Sequence, residues 1–135
     1  MEVTLKRIGD DVHLRAANEN GKTADFDNAG GSDGMSPMEM LLGSVAACSS
    51  IDLVPILRKQ RQDLKDLEVK VTSERHPVGE AKPFKSIHMH FIMTGTIDPK
   101  KAERAVSLSV EKYCSVGRSL DPDIAVSHSF EIKPE

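Results

Sequence analysis

Apolar and polar residues alternate along the first quarter of the chain. The alternation runs through Val3–Ile8, Val12–Ala17 and Thr23–Phe26, and a period of two is typical of half-buried β-strands. The segments Gly9-Asp10-Asp11 and Asn18–Gly21 separate these runs and carry residues that favour tight turns. The pattern predicts a three-stranded antiparallel meander.

The hydrophobic period changes after the glycine-rich segment that precedes Ser36. From Ser36 to about Gln60, apolar residues recur at helical spacing. Ser36 is a favourable N-cap, Pro37 suits the first helical position, and Glu39 completes a capping box. The first half of this segment is almost wholly apolar, which predicts a long central helix buried on most sides and kinked at Pro55.

The remaining chain predicts two strands, a helix and a final strand. One strand begins at Leu67, and a second covers Ile87–Thr94. The Asp98-Pro99 pair begins a helix that runs to about Tyr113, and Ile124–Ile132 alternates again. The predicted order is βββ-α-ββ-α-β, an α+β fold with mostly antiparallel pairing.

Composition limits the architecture to one small domain. The 135 residues contain no low-complexity stretch to mark a linker, so we expect a single domain over residues 1–135. With one Tyr, four Phe and no Trp, the core must be built from aliphatic residues and Met. A core of this kind is small for a mixed fold, which favours additional burial against a second subunit.

Charge and terminal sequence argue against several partners. The net charge is −3, and no cluster of Lys and Arg with interleaved aromatic residues predicts nucleic-acid binding. Met1–Lys6 lacks the layout of a signal peptide, and no apolar stretch is expected to approach the ~20 residues of a membrane span. We therefore expect a cytoplasmic protein without membrane contact, whose thiols are kept reduced.

The candidate chemistry lies in the only two cysteines, Cys48 and Cys114. They form neither a C-x-x-C motif nor a disulfide framework, and they are too few for an all-cysteine zinc site. If the fold brings them together, an attacking thiolate and a resolving thiol are what two-step peroxide reduction requires.

Each cysteine also has a plain structural interpretation. Cys48 lies within the apolar helix, where a free cysteine more often packs as a small hydrophobic residue. Cys114 follows a helical run, and if Ser115–Leu120 forms a helical turn, Cys114 caps it. The alternative is a core residue that packs beside Tyr113, and the sequence leaves both possibilities open.

Two other motifs predict no site. His88 and His90 share one face of a strand, but no third ligand follows at a useful spacing, which favours a solvated strand face over a metal site. The segment Asn28–Gly34 lacks the G-K-[ST] ending of a phosphate-binding loop and is interpreted as a plain loop.

Two segments together resemble a known family. Gly34–Asp52, which includes S-P-M-E, and Glu111–Val116, with E-K-Y-C-S-V, are similar to the OsmC/Ohr family of thiol-dependent hydroperoxide reductases, and in particular to its OsmC-like branch. The resemblance implies that Cys48 is the peroxidatic cysteine and Cys114 the resolving one. It also implies an intertwined homodimer with active sites at the subunit interface, a role in the oxidative stress response, and no metal or prosthetic group.

One position departs from the family pattern. The best-studied members have Glu directly after the Pro of the helix start, paired with an Arg that activates the thiolate, but this chain has Met38 there. Its acid is Glu39, about 100° further around the helix. Arg15 and Arg118 are the candidate arginines.

From the resemblance as a whole, we expect a peroxidase that reduces organic hydroperoxides and is recycled by an external dithiol. The alternative is an OsmC-like binding or redox-sensing module with little turnover.

Overall fold

The structure is a computed structural model that describes all residues, Met1–Glu135. Its elements follow the order β1 (Val3–Arg7), β2 (Leu14–Asn18), β3 (Thr23–Phe26), α1 (Pro37–Lys59), β4 (Asp63–Arg75), β5 (Phe84–Thr96), α2 (Pro99–Ser107), a π-helical segment (Leu108–Tyr113), α3 (Ser115–Arg118) and β6 (Ala125–Lys133). The chain divides into two compact units, Met1–Leu41 and Leu42–Glu135. The predicted α+β class and the βββ-α-ββ-α-β order are confirmed.

The first unit contains the predicted meander. Strands β1, β2 and β3 pair in that order, and both pairings are antiparallel. The turn before β2 is closed by the Ile8 amide, which donates to the His13 carbonyl. In the turn before β3, Gly21 has a φ of +80°, a conformation that glycine adopts without steric cost. The sequence signals for both turns therefore have a direct structural counterpart.

The capping box at the start of α1 forms as predicted. The Ser36 amide donates to Glu39 Oε1 at 3.0 Å, and the Glu39 amide donates to Ser36 Oγ at 3.2 Å. Two amide groups at the helix start thus gain partners that the helix itself does not supply.

The second unit contains a mixed sheet of order β4-β5-β6. Strands β4 and β5 are antiparallel and β5 and β6 are parallel, so the pairing in the chain is mostly antiparallel, as predicted, with β5–β6 as the exception. A parallel pair needs a crossover connection. Here α2, the π-helical segment and α3 lie between the two strands in the chain and supply it.

The core of the second unit is formed by one face of β5 and by helical residues. Met89, Phe91 and Met93 are fully buried, and so are Leu53 and Leu57 of α1. All five belong to one hydrophobic cluster, which also includes α2 residues. This core is therefore built mainly from aliphatic residues and Met, as predicted from the sequence, together with the aromatic Phe91.

Two expectations for α1 are wrong. The helix is 23 residues long and apolar enough, by length and composition alone, to cross a membrane, although the core helix of a soluble protein meets the same criteria. It is also not buried on most sides within this chain, because Gly43, Ala47, Ile51 and Pro55 form an exposed stripe along it. Ile51 alone is 72% exposed. The helix passes through Pro55 as a single element and ends at Lys59.

The helix predicted to end near Tyr113 has two parts. Its start is as expected, since the Asp98 side chain accepts a hydrogen bond from the Lys101 amide at 3.3 Å and Pro99 follows. The α-helical part ends at Ser107, and Leu108–Tyr113 is π-helical. A π-helical segment forms hydrogen bonds between residues i and i+5, one residue further apart than in an α-helix. The α-helical period used to interpret the sequence therefore did not reveal it.

Candidate active site

Cys48 lies in the middle of α1 and is partly buried. Its side chain packs against the hydrophobic cluster of the second unit, where Val45 and Ser49 of the same helix are fully buried. Cys48 therefore lies at the border of the core and is partly exposed as a residue. Cys48 thus packs with core residues, as a structural cysteine would, and is also partly exposed, as a reactive cysteine must be.

Cys114 is 1% exposed and is held by two hydrogen bonds. Its backbone is extended, and its sulfur accepts a hydrogen bond from the Gly117 amide at 3.3 Å, so Cys114 is the N-cap of α3. Its thiol lies 3.9 Å from the Val45 carbonyl oxygen, to which it donates. The predicted capping position is confirmed, and the residue is at the same time part of the core.

These contacts bring the two cysteines to one region of the second unit. The Cys114 sulfur lies against the carbonyl of Val45, and Cys48 follows Val45 by about one helical turn. Residues at this spacing lie on the same side of a helix. Both cysteines also pack with the same hydrophobic cluster. Both thiols are free.

The backbone before Cys114 is irregular. The π-helical segment ends at Tyr113, and within it the buried Ser109 donates through its hydroxyl to the Ala105 carbonyl at 2.7 Å. Insertions of this kind occur often at functional sites. The segment ends directly at Cys114, so its geometry determines where the Cys114 sulfur lies. This positioning element was missed by sequence reasoning.

Two open cavities adjoin α3. One has a volume of about 260 Å³ and the other of about 200 Å³. Gly117, Arg118 and Val126 line both. Gly117 also contacts Cys114, because a Cβ atom built on it would lie 3.3 Å from the Cys114 sulfur. Gly117 therefore adjoins both that sulfur and the two cavities.

The candidate arginine Arg15 belongs to an ion-pair cluster in the first unit. Its guanidinium donates two hydrogen bonds to Asp25, at 2.7 and 2.9 Å, and His13 Nε2 lies 2.9 Å from the same carboxylate. The hydrogen bond from Arg15, followed by that from His13, lowers the pKa of Asp25. The bond to Asp25 in turn raises the pKa of Arg15. Arg15 is thus a permanent cation fixed by an acid within its own unit.

Met38 and Glu39 lie at the helix start where this chain departs from the family pattern. Glu39 is exposed, and the hydrogen bonds from the Ser36 backbone and side chain lower the pKa of Glu39. Its carboxylate is therefore engaged in capping the helix. Met38, at the position where the best-studied members carry the acid, is half-buried.

His88 and His90 are half-buried, and their rings are joined to β6. His88 bonds Ser127 Oγ at 2.7 Å and Ser129 Oγ at 2.9 Å, whereas His90 bonds Ser129 Oγ at 2.6 Å and Glu131 Oε1 at 3.1 Å. The expectation of a solvated strand face is therefore only partly right. No three His, Cys, Asp or Glu side chains are arranged to hold a metal ion.

Comparison with known proteins shows which family of proteins this chain resembles. The family model described as OsmC-like protein matches residues 30–129, which include both cysteines. Protein YhfA of Escherichia coli K12 is 49% identical over 111 residues, covering 79% of this chain and 80% of YhfA.

Solved structures share the fold over nearly the whole chain. A hypothetical protein from Aquifex aeolicus is 32% identical, with a TM-score of 0.86 and coverage of 99% of this chain and 96% of that one. An organic hydroperoxide resistance protein OsmC from Legionella pneumophila is 20% identical, with a TM-score of 0.69 and coverage of 97% of each chain. At that identity the likeness to the Legionella protein shows the fold alone.

Proposed function

Because this chain belongs to the OsmC family, we propose that it is a cysteine-based peroxidase that reduces organic hydroperoxides. The observation that carries the proposal is the placement of the Cys114 sulfur against the turn of α1 that leads to Cys48. A partly exposed cysteine and a buried, hydrogen-bonded one in the same region of the fold suit the roles of a peroxidatic and a resolving cysteine.

The reaction proceeds in three steps. The Cys48 thiolate attacks the terminal peroxide oxygen, the O–O bond breaks, and an alcohol leaves while Cys48 becomes a sulfenic acid. Cys114 then condenses with the sulfenic acid, which forms the Cys48–Cys114 disulfide and releases water. An external dithiol reduces the disulfide by exchange and is itself oxidised.

We further propose that the protein works as a cytoplasmic homodimer in which both compact units of residues 1–135 form one functional domain. The first unit exposes the apolar side chains of Val3, Leu5, Val12 and Met35, and α1 exposes Ile51. Apolar surface of this extent supports burial against a second copy. The two free thiols suit a reducing compartment.

The test is a thiol count on the reduced protein after treatment with an organic hydroperoxide. The wild type should lose both thiols within minutes and form an intramolecular disulfide. Cys114→Ser should instead accumulate a sulfenic acid on Cys48 that dimedone traps, and Cys48→Ser should not react. Retention of both thiols in the wild type would refute the proposal.

A second function is favoured by one observation. Met38 replaces the acid of the best-studied members, and Glu39 is engaged in the capping box. A chain without that acid fits a binding or redox-sensing module, in which Cys48 reacts once with a small apolar electrophile. Many turnovers per minute with a dithiol reductant would exclude this alternative, whereas a single stoichiometric reaction would support it.

A further inference from the structure

The two sulfurs of the proposed disulfide differ in how an external reductant can reach them. Thiol–disulfide exchange requires a thiolate to attack one sulfur while the other leaves. The Cys114 side chain is 1% exposed, whereas Cys48 is partly exposed. Access therefore favours attack at Cys48.

The surroundings of Cys114 also suit a leaving group. The Gly117 amide donates to its sulfur at 3.3 Å, and an N–H group directed at sulfur favours negative charge there. This donor belongs to the backbone and is already in place, so it needs no rearrangement at the moment of bond cleavage. The sulfur that is hard to attack is thus the one that a backbone N–H group faces.

The cavities beside α3 do not reverse this preference. Gly117 and Arg118 line both of them, whereas Cys114 lines neither. Because the Cys114 residue is 1% exposed, a thiol that entered either cavity would not be in contact with its sulfur.

We propose that reduction of the Cys48–Cys114 disulfide is directional, with Cys48 as the sulfur attacked and Cys114 as the leaving thiolate, stabilised by the Gly117 N–H. The inference rests on the proposed peroxidase function. The reductant's thiolate forms a bond to the Cys48 sulfur, and the electron pair of the broken S–S bond stays on Cys114, which takes up a proton from solvent. The second thiol of the dithiol then attacks its own mixed-disulfide sulfur, releases Cys48 as a thiolate and leaves the reductant as a disulfide.

A trapping experiment tests the direction. The wild-type disulfide is treated briefly with 2-mercaptoethanol, an uncharged monothiol, and quenched with N-ethylmaleimide before peptide mass spectrometry. We expect the mercaptoethanol adduct on Cys48 and the maleimide on Cys114, in at least a tenfold excess over the reverse pattern. An adduct mainly on Cys114, or an equal division, would overturn the inference.

The oxidation step separates this inference from the proposed function. If an organic hydroperoxide fails to form the disulfide, the peroxidase proposal fails, and the disulfide is then formed with diamide so that the direction can still be measured. If diamide also forms no disulfide, both fail. A hydroperoxide-formed disulfide with the reverse adduct pattern removes only the directional inference.

The role of the Gly117 amide is tested by a pair of substitutions. Gly117→Pro removes the N–H group, whereas Gly117→Ala keeps it and adds only a Cβ near the sulfur. We expect the proline variant to reduce its disulfide at least tenfold more slowly than the alanine variant. The alkylation rate of Cys48 in the reduced proteins, which a disturbed fold would alter, should be the same in both; equal reduction rates would contradict the role of the amide.

Discussion

The two three-stranded sheets of this chain differ sharply in how much they bury. In β5 of the second unit, Ile87, Met89, Phe91 and Met93 are fully buried. In β1 of the first unit every residue is exposed, including Val3 at 63% and Leu5 at 55%. Both strands show alternation in the sequence, so alternation identifies a strand without showing what covers it.

The difference has a physical meaning for assembly. A small sheet needs a hydrophobic face packed against something in order to be stable. The second unit satisfies this requirement within its own residues, through the cluster of sheet and helix side chains. The first unit leaves several apolar side chains exposed, among them Val3 and Leu5, and the proposed second subunit would cover them.

Deletion of residues 1–17 should have the largest effect. If the β1–β3 sheet is part of an obligate dimer interface, removing β1 and most of β2 should abolish the dimer together with cooperative folding, because an obligate dimer has no stable monomer. Analytical ultracentrifugation and thermal unfolding report the two effects separately. A truncated protein that remained folded and monomeric would show that the sheet is dispensable.

Matched core and strand substitutions compare the two sheets directly. Phe91→Ala in the fully buried core should lower the free energy of unfolding by about 3–5 kcal/mol. Leu5→Ala on β1 should cost less, and its cost should grow as the protein is diluted, because it weakens the proposed dimer. Val78→Ala, at a residue 81% exposed, is the control. A Leu5→Ala effect independent of concentration would argue against burial in a dimer.

Local sequence signals predicted the elements well. The Ser36–Glu39 capping box, the Asp98 cap and the turn residues each satisfy backbone groups within a few residues, so their partners could be identified from the sequence. The parallel direction of β6 depends instead on a crossover that no local pattern specifies.

The candidate site was predictable only in part. The two cysteines were identified from residue type alone, and the capping role of Cys114 was one of the two possibilities that the sequence left open. The contact of Cys114 with Val45 joins residues far apart in the chain, and the Arg15–Asp25 bond joins neighbouring strands. Such contacts depend on tertiary packing and register, which a single sequence does not specify.

Ser36→Ala, at the start of α1, should have an intermediate effect. The substitution removes the hydroxyl that accepts from the Glu39 amide, and loss of an N-cap typically costs ~1 kcal/mol. Urea unfolding should show this decrease, and Ser36→Asp, which restores an acceptor, should recover most of it. The same stability in Ser36→Ala and the wild type would mean that the capping box adds nothing in solution.

Asp25→Asn should have the smallest effect, and its pH dependence identifies its cause. The hydrogen bond from Arg15 lowers the pKa of Asp25 in the folded protein, so the charged carboxylate stabilises the fold above the ordinary aspartate range near ~4. As the pH falls below that range, the unfolded state binds its proton first, and the stabilisation is progressively lost. Wild type should therefore be more stable than Asp25→Asn at pH 7, and the stabilities of the two proteins should converge in acid.

Thermal unfolding from pH 7 to pH 2 measures this difference in stability, with Asp66→Asn, a substitution of an exposed acid on β4, as the matched control. A gap between wild type and Asp25→Asn that stayed constant across this range would show that the Arg15–Asp25 pair does not contribute through its charge.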